Sequence, residues 1–133
     1  MPLSLLASLA EAPGVSFYSL QKGPSAAEAG HPPPGMRLIN LTDEIHDFAD
    51  TAALIANLDL VISVDTSVAH LAGAMAKPVW TLLPFVPAWL WLLDRQDSPW
   101  YPTMRLFRQP ARLKWEPAIE TVAAELAAWA GRH

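Results

Sequence analysis

From Leu60 to Pro84 the chain reads LVISVDTSVAHLAGAMAKPVWTLLP, and this stretch decides the fold. Leu60–Val64 is a short continuous apolar run, the pattern of a strand buried on both faces. It ends in Asp65-Thr66-Ser67, residue types that start helices. A helix follows over Val68–Ala76 with His70 in its first turn, a Lys77-Pro78 break ends it, and Val79–Leu83 is a second apolar strand. The unit is β-α-β, with its polar groups gathered where the first strand meets the helix. Open α/β sheets bind ligands at that corner. Asp65–His70 is therefore the first candidate site.

Outward from this unit, the same periodicities place the remaining elements. Pro2–Ala10 reads as a short amphipathic helix with Leu3, Leu6 and Leu9 on one side, ended by Pro13-Gly14. Val15–Leu20 and Arg37–Leu41 read as strands, separated by a proline-rich loop over Gln21–Met36 with one helical turn around Ala26–Ala29. Asp47 caps a helix over Phe48–Asn57 whose inner face carries Phe48, Ala52, Ile55 and Ala56. Phe85–Thr103 is a long aromatic loop, with helical character at Trp89–Leu93. Met104–Arg108 is a last strand, and Glu116–Ala130 a closing helix with Gly131 just past its end. The order predicts an α/β fold: a mostly parallel sheet of about five strands between helix layers, in one Rossmann-like three-layer domain over residues 1–133.

Composition narrows the function. The chain has 133 residues and is 52% apolar, enough for a packed core. Its net charge of −4 argues against nucleic acid or an anionic membrane surface as the main partner. It has no Cys, which excludes disulfides, thiolate metal sites and thiol nucleophiles and fits a cytoplasmic setting. The most apolar stretch, Val79–Leu93, is broken by Pro84 and Pro87, so no transmembrane segment is expected; without a basic region before the first apolar stretch, neither is a signal peptide. The four His are scattered, Asp-x-Asp is absent and Gly73 stands alone in its helix, so neither a metal nor a dinucleotide cofactor is implied.

At the Asp65 corner, Thr66 or Ser67 can cap the helix and leave the amides of Ser67–Ala69 aimed outward, where they attract phosphate or carboxylate. His70 lies three residues beyond Ser67, on the same helical face, and can hydrogen-bond a phosphate oxygen. Asp65 would repel a phosphate and is suited instead to sugar hydroxyls or nearby amides. An ordinary helix cap beside a structural histidine explains the same residues with no ligand at all.

The stretch VDTSVAHLAGAMAKPVWTLLP resembles the C-terminal domain of GT-B glycosyltransferases of the heptosyltransferase class, glycosyltransferase family 9, as found in bacterial proteins that fuse it to tetratricopeptide repeats. The family pattern D-[ST]-[SG]-x-x-H-x-A falls on Asp65, Thr66, Ser67, His70 and Ala72, with support from FYSLQKG, RLIN, DFADTAALIANLDLVISVD and SPWYPTMRLFRQ. The resemblance implies a nucleotide-sugar donor held by Asp65, Thr66, Ser67 and His70. It also implies a diphosphate contact from Lys22, which lies just past a strand end beside Gly23. In similar proteins the Ile45–Phe48 region flanks the nucleotide base, but Phe48 reads better as core and His46 as surface. Family members carry polar residues where this chain has Ala88 and Leu90, so the aromatic loop (Phe85, Trp89, Trp91, Trp100, Tyr101) is expected to pack against a partner rather than on a sugar.

The resemblance also implies what one domain lacks. The catalytic base of inverting members comes from the N-terminal domain, so none is assigned here and the chain is not expected to turn over alone. A central first strand precedes the Pro2–Ala10 helix in similar domains. Without it, either the Val15 strand pairs with the Leu60 strand or another chain fills the gap, through a homodimer or a separate N-terminal domain. The competing expectations are a non-catalytic interaction or degenerate domain, and a flavodoxin-like binder of a small phosphate ligand.

Overall fold

The computed structural model describes residues 3–20, 30–85, 96–98, 101–112 and 114–132. The chain divides into two compact units, residues 1–46 with 115–133, and residues 47–114. In both, the fold is α/β with parallel strands, in the manner of a Rossmann-like domain.

In the first unit, strand β1 (Phe17–Ser19) pairs in parallel with β2 (Leu38–Asn40). The opening leucine repeat forms a 3₁₀ segment, Leu3–Glu11, in place of an α-helix. The reason lies in the spacing: residues three apart eclipse one another in a 3₁₀ helix, so Leu3, Leu6 and Leu9 fall on one line. Leu9 is buried, and the segment packs on helix α3 (Glu116–Arg132). Gly14, at φ +70°, supplies the left-handed residue that ends the turn. Helix α3 buries Ala118, Ile119, Val122 and Leu126, a stripe of helical period, and runs through Gly131 instead of stopping before it. Past β2, the Asn40 side chain accepts from both the Thr42 amide (3.0 Å) and the Thr42 hydroxyl (2.6 Å) and so closes the 3₁₀ turn Thr42–Glu44.

The second unit holds a three-stranded parallel sheet in the order β3 (Val61–Val64), β4 (Val79–Leu83), β5 (Met104–Arg108). The register sets Val61 beside Val79 and Val79 beside Met104. All residues of central β4 are buried, as expected of an inner parallel strand that is apolar at every position but Thr81. Helix α1 (Phe48–Ala56) packs on helix α2 (Ser67–Ala74), which packs on β3 and β4. On one face the Trp80 and Phe107 rings meet at 5.5 Å. The Arg105 guanidinium lies over both rings, a cation–π arrangement. Thr81, on the other face, is fully buried and its hydroxyl has no partner among the described residues, at a cost of roughly 1–3 kcal/mol.

Among the described residues β1 pairs with β2, and β3 with β4, in separate ladders; of the two alternatives for the Val15 strand, direct pairing with the Leu60 strand is not among these ladders. Phe48 is not a core residue: it is 64% exposed, and α1 buries Thr51 and Ile55 instead. Phe48 shares the helical stripe of Thr51 and Ile55, but it is the first residue of α1, one turn ahead of the part of that stripe that is buried. No helix among the described residues is long and apolar enough to cross a membrane.

Candidate functional site

The site is built where β3 ends. Extended backbone carries the chain out of the sheet through Asp65 to Thr66, whose φ of −139° and ψ of 173° mark it as the N-cap of α2. The first intrahelical bond runs from the His70 amide to the Thr66 carbonyl (3.3 Å). The amides of Ser67, Val68 and Ala69 therefore precede the helical ladder, as in any first turn.

Thr66 does not cap the helix with its side chain. Its hydroxyl sits 3.0 Å from Ser63 Oγ, and Ser63 Oγ donates to the Val64 carbonyl at 2.8 Å. A serine hydroxyl has one proton, already used on Val64, so Thr66 is the donor to Ser63. Thr66 Oγ1 can then only accept from a ligand. The sequence-based expectation that Thr66 or Ser67 caps the helix is thus half met: Thr66 holds the cap position without the capping bond.

Asp65 and His70 come together. Asp65 Oδ1 lies 3.2 Å from His70 Nε2, with the His70 and Asp65 side chains 34% and 27% exposed. The other ring nitrogen, Nδ1, is 3.1 Å from the Tyr101 hydroxyl. An ionised carboxylate only accepts, so Nε2 carries a proton. Nδ1 accepts from Tyr101 when the imidazole is neutral and donates to it when the imidazole is charged. Both ring nitrogens of His70 are engaged within the chain. Asp65 is likewise bonded within the corner.

Tyr101 is the residue that sequence reading assigned elsewhere, to an aromatic loop facing a partner. Its ring meets His70 edge-on at 5.7 Å, with an interplanar angle of 67°. It also lies directly on Gly73: a Cβ built there would stand 2.6 Å from Tyr101 Cγ, closer than non-bonded carbons tolerate. Gly73 thus serves as the seat of an aromatic ring, and that explains a glycine inside a helix. The Tyr101 amide donates to Ser98 Oγ (3.3 Å), and the Thr103 hydroxyl donates to the Lys77 carbonyl (2.8 Å), tying this segment to the end of α2.

That end has an unusual stop. Lys77 N–H bonds the Ala72 carbonyl and Ala76 N–H the Gly73 carbonyl, both at 3.0 Å. This is a Schellman closure, with Ala76 in the left-handed region at φ +56°. Lys77 Nζ then reaches the Ala56 carbonyl at the end of α1 (3.1 Å), a cation at a helix C-terminus.

Lys22 lies outside the described residues, as do Ala88, Trp89, Leu90, Trp91 and Trp100 and the turn around Ala26–Ala29. His46 and Phe48 are exposed. Among the described residues no three His, Asp or Glu stand close enough to hold a metal ion.

The family model of glycosyltransferase family 9 (heptosyltransferase) matches residues 6–84, which include β1 to β4 and the whole Asp65–His70 corner. The chain is also similar to Protein FlbA of Caulobacter vibrioides, at 32% identity over 94% of its own length. It spans about a fifth (21%) of that relative. No solved structure matches. With the motif at the end of β3 inside the matched span, and that span exceeding half the sequence, the chain belongs to glycosyltransferase family 9.

Proposed function

We propose that the chain is the nucleotide-sugar-binding half of a GT-B glycosyltransferase, one domain over residues 1–133 of a two-domain, heptosyltransferase-like enzyme. The observation that carries this reading is the built corner at the carboxyl end of β3, inside the family match: Asp65 and His70 bonded to one another beside the amides that open α2. Carboxyl ends of parallel strands are where such sheets take ligands, and helix-opening amides suit a diphosphate.

In this reading the Ser67–Ala69 amides and Lys22 meet the diphosphate. Thr66 Oγ1 and Asp65 accept from sugar hydroxyls, and His70 holds Asp65 in place. The catalytic base is supplied by an N-terminal domain, and turnover requires it. The small share of the curated relative that the chain spans supports a division of labour of this kind. The protein acts in the cytoplasm, in the manner of bacterial tetratricopeptide-repeat fusions.

One observation favours a second reading, a non-catalytic domain that keeps the fold. Both ring nitrogens of His70 are satisfied inside the chain, so Asp65, His70 and Tyr101 also work as a structural brace. Calorimetric titration with UDP-, ADP- and GDP-sugars separates the two. The donor reading expects saturable binding of one nucleotide class, weakened about tenfold or more in His70→Ala by loss of the group that orients Asp65. An absence of binding by every nucleotide sugar leaves the brace.

A further inference from the structure

We infer that Tyr101 is a positioning residue that sets the tautomer and ring plane of His70, and that Gly73 is small in order to admit it. Three observations converge. The Tyr101 hydroxyl is 3.1 Å from His70 Nδ1. The phenol ring stands edge-on to the imidazole at 5.7 Å. The ring occupies the space where a side chain at residue 73 would be, its Cγ 2.6 Å from the Cβ position. A neutral imidazole has two tautomers of similar energy in water, and the partner on one nitrogen selects which nitrogen keeps the proton. Here the two ends agree. Asp65 requires the proton on Nε2, and Tyr101 offers its own proton to Nδ1. The phenol and the carboxylate therefore hold His70 in one tautomer from opposite sides.

The consequence for binding rests on the donor-site reading above. A fixed imidazole keeps Asp65 Oδ1 occupied and in one orientation, so its remaining lone pairs face a sugar hydroxyl in one geometry. Without Tyr101 the ring has a free acceptor, can turn about χ2, and competes for ligand groups. The covalent chemistry is unchanged. What Tyr101 supplies is order in the group beside the ligand.

The test is direct observation of His70 by nitrogen NMR in the full chain labelled with ¹⁵N-histidine, its signals assigned among the four histidines by His70→Gln. The wild-type chain is expected to show a single Nε2–H tautomer, with Nδ1 shifted upfield as a hydrogen-bond acceptor. Tyr101→Phe should move Nδ1 downfield toward the value of a free acceptor. Gly73→Ala should do the same with the hydroxyl still present, because its Cβ displaces the ring; alanine also favours the helix, so this variant guards against a Tyr101→Phe chain that fails to fold. Nucleotide-sugar affinity should fall about tenfold or less in both, the worth of one neutral hydrogen bond. If His70 responds in both variants while the wild-type chain binds no nucleotide sugar, the positioning role stands and the donor reading falls. If the Nδ1 signal is the same in wild type, Tyr101→Phe and Gly73→Ala, the positioning role is overturned whatever the chain binds.

Discussion

Helices α1 and α2 lie side by side in one unit, are of nearly equal length, and begin in opposite ways. At the start of α1 the Asp47 carboxylate accepts from the Asp50 amide at 2.9 Å, so the helix is closed by its own side chain. At the start of α2 the Thr66 hydroxyl turns back to Ser63 and makes no capping bond. The two also bury different things. α1 is anchored by Ile55, fully buried, and α2 by Ala69, Ala72 and Gly73. One helix is fastened by a cap and a large side chain. The other lies close to its neighbours through small residues, and its first turn is spared the cap. A helix start left open at the carboxyl end of a strand is what anion binding requires. The contrast is between a helix start closed by its own side chain and one without a side-chain capping bond, and the donor reading proposed above places the ligand at the second.

The largest expected effect tests the anchoring. Ile55→Ala should lower stability by about 3 kcal/mol, since truncating a fully buried side chain leaves a cavity. On α2 the loss should come instead from enlargement: Ala72→Leu should cost about 2 kcal/mol through overpacking. Both are read as shifts of the urea midpoint at constant m-value. Equal tolerance of Ala72→Leu and a surface substitution would break the contrast.

The caps give the next test. Asp47→Ala should cost about 1 kcal/mol, as other lost N-caps do. Thr66→Ala should stay within about 0.5 kcal/mol, because no capping bond is lost. Thr66→Asp sharpens the comparison. It supplies α2 with a cap and a favourable charge at its dipole, so thermal stability should rise while any nucleotide binding falls. A loss in Thr66→Ala as large as in Asp47→Ala would mean that the two starts are equivalent.

The smallest effect lies at the far end of α2. Ala76 holds the left-handed position that glycine takes without strain. Ala76→Gly should therefore stabilise the chain by about 0.5–1 kcal/mol in the same denaturation assay. A destabilised Ala76→Gly chain would mean that the unfolded state's gain in freedom outweighs the relieved strain.

Much of this was legible in the chain itself. Strand runs, the helix stripe of α3 and the Asp47 cap are local properties, decided by side chains within a few residues of one another, and the β-α-β order follows from them. The polar corner after Val64 was legible for the same reason. Phe48 was misread because an apolar residue at a helix start fits the helical stripe on paper, while the packed stripe begins at Thr51. The 3₁₀ form of the first segment was hidden because a spacing of three satisfies both helix types until packing selects one.

What the sequence alone determined, then, is which elements form and where polar groups leave the sheet. Which groups meet was decided only by the tertiary structure. Tyr101 stands 31 residues from His70, and no periodicity links them. They touch because the chain passes through β4 and returns past Ser98 before β5, setting an aromatic ring on the bare backbone of Gly73. Periodicity encodes the direction a side chain takes from its own element; the partner it finds depends on how distant segments cross, and close packing allows that crossing only where a small residue leaves room.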